Sequence, residues 1–242
     1  MNDQTLFKRM AAIAAIIAAV LNLAAWVPGS LAVDFNFEFL DNPGNLLTAG
    51  LEPDAIRLFR WGEVLGVFAF CLLLLPPMLY LWYWLRPRSP RLVTLYTVFG
   101  LISIVLCVIE SAIRISIWPP MMAAYPQAAE AQREVLQVVF VALTDFAFES
   151  MYALNSILFG LWWLGIGLVL RAERRVLGIA TAIMGVAILG AGVGWILQVD
   201  PLARLELFYL FEIAWLIWLG IVIWRRAEQR EPALEATYEG VR

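Results

Sequence analysis

Six long apolar stretches separated by short polar connections dominate the hydrophobic pattern of this chain. They cover about residues 7–28, 58–85, 92–118, 146–170, 176–198 and 205–224. Each reaches or exceeds the about 20 residues with which an α-helix crosses the hydrocarbon of a bilayer, about 30 Å thick. The pattern therefore predicts an all-α integral membrane protein with six transmembrane helices in three hairpins.

The connections between these stretches alternate in charge. Basic residues gather at the ends and in every second connection, at Lys8, Arg9, Arg86, Arg88, Arg91, Arg171, Arg174, Arg175, Arg225 and Arg226. Acidic residues occupy the first and last of the other connections, at Asp34, Glu38, Asp41, Glu52, Asp54 and Asp200. Because Lys and Arg favour the cytoplasmic side, we expect both termini there, and the protein in a bacterial inner (plasma) membrane.

Prolines and helical periodicity predict several helix boundaries. Residues 52–54 (Glu-Pro-Asp) are typical of a helix start, because proline fits the first turn. The proline pair at 76–77 should kink the second span and the pair at 119–120 should end the third, since proline has no N–H. Residues 128–145 keep a helical pattern, so we expect them to extend outside the membrane or to lie along its outer surface.

We expect a single transmembrane domain over residues 1–226, followed by a polar cytoplasmic tail over residues 227–242. The first span has an alternative interpretation, because Lys8 and Arg9, an apolar run and the small residues at 30–32 also fit a signal peptide. Its apolar run of roughly eighteen residues exceeds the about 7–15 of such a peptide. We therefore predict that it is retained as a membrane helix.

Composition agrees with a membrane protein and narrows its chemistry. The chain is 62% hydrophobic and 15% charged, against about 45–50% and about 25% in soluble domains. Its net charge of −3 does not suggest a nucleic-acid partner. Histidine is absent and Lys8 is the only lysine, which argues against His-bound haem or zinc, a Ser-His-Asp triad and a Schiff base within a span. We predict a lipid bilayer as the main partner, with no cofactor, no metal site and no catalytic residue.

Cys71 and Cys107 are predicted at similar depth on neighbouring helices. Each follows or precedes the shared basic connection by about 15–16 residues, at 1.5 Å per residue. Two interpretations are open, a buried disulfide and two small unpaired side chains that lipid tolerates. The sequence favours the unpaired side chains.

Small residues recur at helical spacing in two spans. The fifth span carries Gly185, Gly190, Gly192 and Gly194. The first carries Ala11, Ala15 and Ala19. Such stripes let helices approach closely, so both spans are expected inside the bundle. Alternatively, the GxxxG at Gly190 and Gly194 faces a second copy or another membrane protein.

A polar stripe on the third span points towards protein and away from lipid. It consists of Tyr96, Gly100, Ser103, Cys107, Glu110 and Arg114. Glu110 follows Arg91 by roughly 28 Å of helix, close to the outer edge of the hydrocarbon. Further charges occupy the outer half of other spans, at Arg60, Glu63, Asp145 and Glu149.

These charges have two interpretations. In the first, which the sequence favours, Arg60–Glu63 and Glu110–Arg114 are ion pairs that hold helices together near the headgroups. In the second, the charges line an outward-facing polar cavity that binds a small ligand or relays protons, as intramembrane ionisable groups often do. The ligand- or proton-binding candidates are Glu212, Glu110, Arg114, Glu149, Glu63 and Arg60.

Glu212 is the favoured site residue. It lies only about 20 Å of helix from the basic end of the sixth span, deeper than the other charged residues. No basic residue occurs within one turn of it, and its neighbours are apolar. Desolvation should favour the protonated carboxyl group there.

Tryptophans cluster at the basic ends of the spans, at 82–84, 162–163, 218 and 224. They could surround an aromatic ligand, or they could anchor the helices among the headgroups. Anchoring is the commoner role of tryptophan at this depth, and we expect it here.

Three stretches of the chain, LFRWGEVLGVFAFCLLLLPPMLYLWYWLRP, ILFGLWWLGIGLVLRAERRVLGIATAIMGVAILGAGVGWIL and LFEIAWLIWLGIVIW, resemble domain-of-unknown-function family 4386. That family consists of bacterial polytopic membrane proteins of similar length. Phe59-Arg60, Phe159-Gly160 and Glu212 occupy the places of its FR, LFG and last-span Glu. The tryptophan content and the proline pair at 76–77 depart from its pattern. The resemblance implies the fold and no established activity.

Two functions fit these observations best. The first is a small-molecule or proton-coupled carrier that uses Glu212, Glu149 and Glu110 in an outer polar cavity. The second is a non-catalytic accessory or scaffold subunit that holds a larger membrane complex through its Gly and Trp surfaces. An enzyme is the least favoured class, because carboxylates alone offer little beyond acid–base chemistry.

Overall fold

The computed structural model describes residues 3–32 and 43–228, apart from the side chains of residues 25, 26, 29, 32, 43, 44, 148 and 149. All regular structure within these ranges is helical. The α-helices are α1 (Asp3–Ala32), α2 (Pro53–Glu63), α3 (Phe70–Leu73), α4 (Leu75–Leu85), α5 (Pro90–Ala124), α6 (Glu130–Asp145), α7 (Tyr152–Leu170), α8 (Arg175–Leu197), α9 (Asp200–Ala203) and α10 (Tyr209–Glu228). Turns of π-helix join α2 to α3 at Val64–Ala69 and α6 to α7 at Phe146–Met151.

Six helical segments of the described chain are long and apolar enough to cross a membrane. Spans 1 to 6 are Asp3–Ala24, Pro53–Leu85, Pro90–Gln127, Tyr152–Leu170, Arg175–Leu197 and Asp200–Glu228. The predicted fold class, an all-α membrane protein of six spans, is therefore confirmed. The polar tail predicted from residue 227 overlaps the end of α10, and residues 229–242 lie outside the described part.

The prolines behave differently in spans 2 and 3. Span 2 is interrupted at Leu74, between α3 and α4, as the proline pair at 76–77 predicts. The predicted end of span 3 at residues 119–120 is wrong, because α5 continues through both prolines to Ala124. Trp118 and Met122 are almost fully buried on either side of the pair. Tertiary packing thus keeps α5 helical at a proline pair where the local sequence predicts that the helix ends.

A second hydrophobic cluster explains that packing. We call it the outer cluster; its buried members are Leu46, Leu47, Ile56, Trp118, Met122 and Phe140. It joins α2, the end of α5, helix α6 and the 3-10 turn Pro43–Leu47. Span 3 has 38 residues, about 57 Å of helix, which exceeds the about 30 Å of hydrocarbon. Span 3 therefore extends beyond the hydrocarbon at one end of the bundle. The outer cluster lies at that end, beside the helical extension predicted at residues 128–145.

Spans 4 and 5 make backbone contact through glycines seven residues apart on each helix. A Cβ atom on Gly160 would lie 2.5 Å from the backbone nitrogen of Leu189, and one on Gly185 would lie 2.2 Å from that of Leu164. Gly167 and Gly178 meet the opposite backbone in the same way. Small residues let two helices approach this closely in a membrane, where van der Waals contact drives association.

Gly190 and Gly194 face the same chain. A Cβ on Gly194 would lie 2.3 Å from the backbone nitrogen of Ala203, and one on Gly190 would meet the side chain of Leu205. The expected internal role of span 5 is confirmed, and these two glycines are covered without a second molecule. Span 1 is also packed as expected, with Ala11, Ala15 and Ala19 fully buried and Gly220 of α10 against Ile16 and Ala12.

Two other expectations need correction. Cys71 and Cys107 form a disulfide, with a Cα–Cα distance of 6.6 Å, which connects spans 2 and 3. The sequence favoured two unpaired cysteines, because it does not specify that these faces of the two helices meet. Trp162 and Trp163 are buried rather than anchored at the surface, and Trp163 stacks on Trp215 at 4.6 Å between ring centroids. Their rings fill the space between spans 4 and 6.

Replacing Gly185 with alanine should destabilise the bundle. The new methyl group would collide with backbone atoms of Leu164, which cannot move aside, so we expect the free energy of unfolding to fall by about 1–3 kcal/mol. Gly190→Ala is the matched control, because only the flexible end of Leu205 must move and alanine itself favours a helix by about 0.5–1 kcal/mol. Reversible denaturation in mixed micelles measures both variants. Equal losses would contradict the proposed backbone contact.

Candidate functional site

Arg114 on α5 is the centre of a buried ion-pair cluster. Its guanidinium Nη2 lies 3.1 Å from Oε1 of Glu110, one turn earlier on the same helix. It also lies 3.2 Å from Oε2 of Glu63, which ends α2. The predicted Glu110–Arg114 pair is confirmed. All three side chains are largely withdrawn from solvent, so the two carboxylates compensate a charge that lipid would not tolerate alone.

The predicted Arg60–Glu63 pair is wrong. Arg60 is exposed and forms no ion pair with the described residues, whereas Glu63 turns towards span 3. Arg60 and Glu63 are only three residues apart on α2. Glu63, however, stands immediately before the π-helical turn Val64–Ala69, and its carboxylate pairs with Arg114 on span 3. A buried carboxylate gains more from a buried guanidinium than from one in water, because attraction grows as the local dielectric falls.

The outer cluster closes over Arg114. Its guanidinium carbon lies 5.7 Å from the centroid of the Trp118 ring, a cation–π arrangement. The indole Nε1 of Trp118 donates a 3.1 Å hydrogen bond to Oγ1 of Thr144 on α6. On the other side, the Ser111 hydroxyl donates to the backbone carbonyl of Glu63 at 3.4 Å. The ion pairs are therefore tied to both α2 and α6.

Two tyrosines form the second half of the site. The Tyr152 and Tyr209 rings lie 6.2 Å apart, and Tyr209 shares a 3.3 Å hydrogen bond with the Ser156 hydroxyl. The Tyr152 ring also meets the Trp195 ring edge to face, with centroids 6.2 Å apart, and Nε1 of Trp195 donates a 3.1 Å hydrogen bond to Glu206. Tyr209 and Glu206 are not among the residues that the sequence predicted for the site. Helical spacing from Glu212 was the available signal, since Tyr209 stands three residues before it.

Glu212 lies beside these tyrosines in the first turn of α10. Only 1% of its surface is exposed, and it stands three residues after Tyr209 on the same helix. Its Oε1 has no hydrogen-bond partner among the described residues. No ion pair forms there within the described chain either, so the deepest predicted site residue is also the least compensated one.

The remaining candidate, Glu149, falls within the π-helical turn Phe146–Met151, and its side chain lies outside the described residues. That turn and Val64–Ala69 both border the cluster, directly before Tyr152 and directly after Glu63. Turns of π-helix are rare and frequently mark functional sites, because they shift the side chains that follow onto a different face. Both turns contribute to how the polar groups converge.

The cluster holds more acid than base. Glu63, Glu110 and Glu212 supply three buried carboxyl groups, while Arg114 supplies one guanidinium. Within the described chain no group of three or more His, Cys, Asp or Glu side chains could hold a metal ion. Burying an uncompensated carboxylate costs several kcal/mol, which is comparable to the whole free energy of unfolding of a typical domain.

The charges around Arg114 pair with one another, which agrees with the favoured interpretation of Glu110–Arg114 as an ion pair. Two cavities of the described chain lie at the opposite, basic end of the bundle, and neither contains a residue of the ion-pair cluster in its lining. The polar groups of Glu63, Glu110, Arg114 and Glu212 instead contact protein. Burial on this scale strengthens each electrostatic interaction, because water does not screen it.

No protein-family model, curated protein or solved structure matches the chain.

Removing the buried guanidinium of Arg114 should destabilise the protein more than removing an exposed arginine side chain. Arg114→Met leaves two carboxylates buried without their partner, and we expect the free energy of unfolding to fall by about 3–5 kcal/mol. Arg57→Gln is the matched control, because it breaks an ion pair with Asp54 whose side chains are 69% and 83% exposed. Such exposed pairs contribute about 0–1 kcal/mol. Denaturation in mixed micelles compares the two, and similar losses would show that the buried pairs add nothing.

Proposed function

We propose that this protein is a proton-coupled carrier of a small solute in a bacterial inner membrane, with both termini in the cytoplasm and the charged cluster towards the outer side. The observation that carries the proposal is the carboxyl group of Glu212. It is buried within a span and lacks a hydrogen bond at Oε1 among the described residues. Ionisable groups in such positions commonly serve in proton relays of membrane transporters.

The neighbouring residues suit a proton path. The Tyr209 and Ser156 hydroxyl groups share a hydrogen bond beside Glu212, the Tyr152 ring lies next to the Tyr209 ring, and hydroxyl groups both donate and accept protons. Arg114 holds Glu63 and Glu110 at fixed positions on the other side. A proton gained or lost at Glu212 changes a charge in a medium of low dielectric, which alters the packing energy of spans 4 and 6. That change couples proton binding to movement of the helices.

Membership of domain-of-unknown-function family 4386 is part of the proposal. It is supported by the matching positions of Phe59-Arg60, Phe159-Gly160 and Glu212. The structure adds a reason for two of them: Gly160 permits backbone contact with span 5, and Glu212 is the buried acid of the site.

A second candidate function is a non-catalytic accessory subunit of a membrane complex. The glycine surfaces expected for this role, and Trp162 and Trp163, are used inside the chain. Helix α6, however, exposes Val135, Val138 and Val139, at 63%, 70% and 41%. Exposed apolar side chains on a helix outside the spans favour contact with another protein. The transport measurement below separates the two functions.

Glu212→Gln should abolish proton binding without unfolding the protein, since glutamine keeps the shape of the side chain. In infrared difference spectra recorded across pH, we expect the carbonyl band of a protonated carboxyl group in the wild type and its loss in this variant. Glu130→Gln removes an exposed acid at the start of α6 and should leave the band unchanged. A spectrum of Glu212→Gln that superimposes on the wild type would disprove the proposed site.

Proteoliposomes that enclose a pH-sensitive dye test the coupling itself. The panel of solutes comprises amino acids, sugars, carboxylic acids and organic cations. We expect one class to acidify the lumen with wild-type protein, and the rate to fall about 100-fold or more in Glu212→Gln, the scale on which a positioned proton-transfer group acts. If no class moves protons, the carrier is refuted and the accessory role stands.

The orientation is tested by single cysteines in a variant whose native cysteines are serines. Ala131→Cys lies at the start of α6, and Ala172→Cys lies in the basic connection before α8; both positions are exposed. Because basic connections favour the cytoplasm, a membrane-impermeant maleimide should label position 131 in intact cells and position 172 only after permeabilisation. The reverse pattern would invert the proposed topology.

A further inference from the structure

A groove at the basic end of the bundle has the chemistry of a lipid-phosphate site. One cavity of about 310 Å³ lies between the start of α1 and the end of α4. Its lining consists of Asp3, Gln4, Phe7, Lys8, Tyr80 and Tyr83. A second cavity of about 370 Å³ is lined by Tyr83, Arg86, Pro87 and Pro90. Tyr83 belongs to both, so the two cavities adjoin and form one double groove.

Hydrogen-bond donors converge on this double groove. Nε2 of Gln4 donates a 3.0 Å bond to the Tyr83 hydroxyl oxygen, which leaves the hydroxyl proton free to donate to a ligand. Lys8 lines one cavity and Arg86 lines the other. Neither forms an ion pair with a carboxylate of the described chain, although Asp3 lines the same cavity as Lys8.

The floor of the groove is aromatic and apolar. Phe7 and Tyr80 meet edge to face, with ring centroids 6.3 Å apart, and only 1% of Tyr80 is exposed. Arg86 lies over the ring of Trp82 at 4.8 Å. These residues stand at the ends of spans 1 and 2, the depth at which a bilayer changes from acyl chains to headgroups. A ligand there meets cations on its polar side and hydrocarbon on its other side.

We propose that the double groove binds the phosphate of an anionic phospholipid. Lys8 and Arg86, each in the lining of one cavity, supply the positive charge, and the Tyr83 hydroxyl common to both cavities donates a hydrogen bond to the phosphate. A phosphate diester offers only acceptors and a negative charge, which match donors and cations. Basic pockets at the ends of membrane helices are suited to such headgroups. This site is separate from Glu212 and does not depend on the proposed carrier function.

Binding of defined lipids to the full chain tests the proposal. Protein in detergent micelles is titrated with phosphatidylglycerol, with phosphatidylcholine and with inorganic phosphate, and the bound species are counted by native mass spectrometry. We expect phosphatidylglycerol to bind in preference to the other two. Lys8→Gln should weaken it by at least about five-fold, which corresponds to about 1 kcal/mol for one basic residue near an anionic group. Tyr83→Phe should weaken it without a change in charge.

Arg175→Gln is the matched control, because it removes one exposed charge from the same end of the protein but outside the groove. We expect its affinity to stay within about two-fold of the wild type, since Arg175 belongs to the lining of neither cavity and one exposed charge contributes little. Equal losses for Lys8→Gln and Arg175→Gln would overturn the site in favour of diffuse surface attraction. Displacement of the lipid by millimolar inorganic phosphate would overturn its assignment to a phospholipid. Circular dichroism confirms that each variant is folded.

Discussion

A guanidinium group inside a membrane helix must find anionic partners, because hydrocarbon offers neither hydrogen bonds nor counter-charge. Arg114 finds Glu110 on its own helix and Glu63 on a different span. The second contact requires spans 2 and 3 to stand at one fixed depth and rotation. The disulfide between Cys71 and Cys107 joins the same two spans. The ion pairs and this covalent link therefore specify one mutual arrangement of the helices around which the rest of the site is built.

The chain is stabilised by different interactions in its two environments. Within the spans there is little hydrophobic driving force between helices, so close approach at Gly160 and Gly185 and stacked rings such as Trp163 on Trp215 supply the packing. At the projecting end of span 3, the outer cluster buries Trp118 and Phe140. Because Trp118 also covers Arg114, the cluster and the ion pairs stabilise each other.

The charged cluster and the basic groove differ in the kind of group each can accommodate. The cluster is buried and rich in acids, as the proposed exchange of protons at Glu212 requires. The groove is open and carries Lys8 and Arg86 without carboxylate partners in the described chain, so it suits an anion that arrives from the membrane.

The sequence by itself determined that the chain lies in a lipid bilayer and how many spans it has, because hydropathy over about 20 residues is a property of a single segment. It also determined the pair Glu110–Arg114, because spacing within one helix is a property of that helix alone. It also placed Glu212 as a deep acid without a basic neighbour. Tertiary structure decided that Glu63 pairs with Arg114 and not with Arg60, and that Cys71 bonds to Cys107.

Tertiary structure also decided that α5 passes through its proline pair, and that Tyr209, Ser156 and Glu212 come together. Each of these outcomes depends on the rotation and depth of one helix against another. Helical periodicity defines the faces of every helix, but it does not specify which faces of two helices pack against each other. That choice is made by packing at glycines, by aromatic contacts and by buried charges from segments about fifty residues apart.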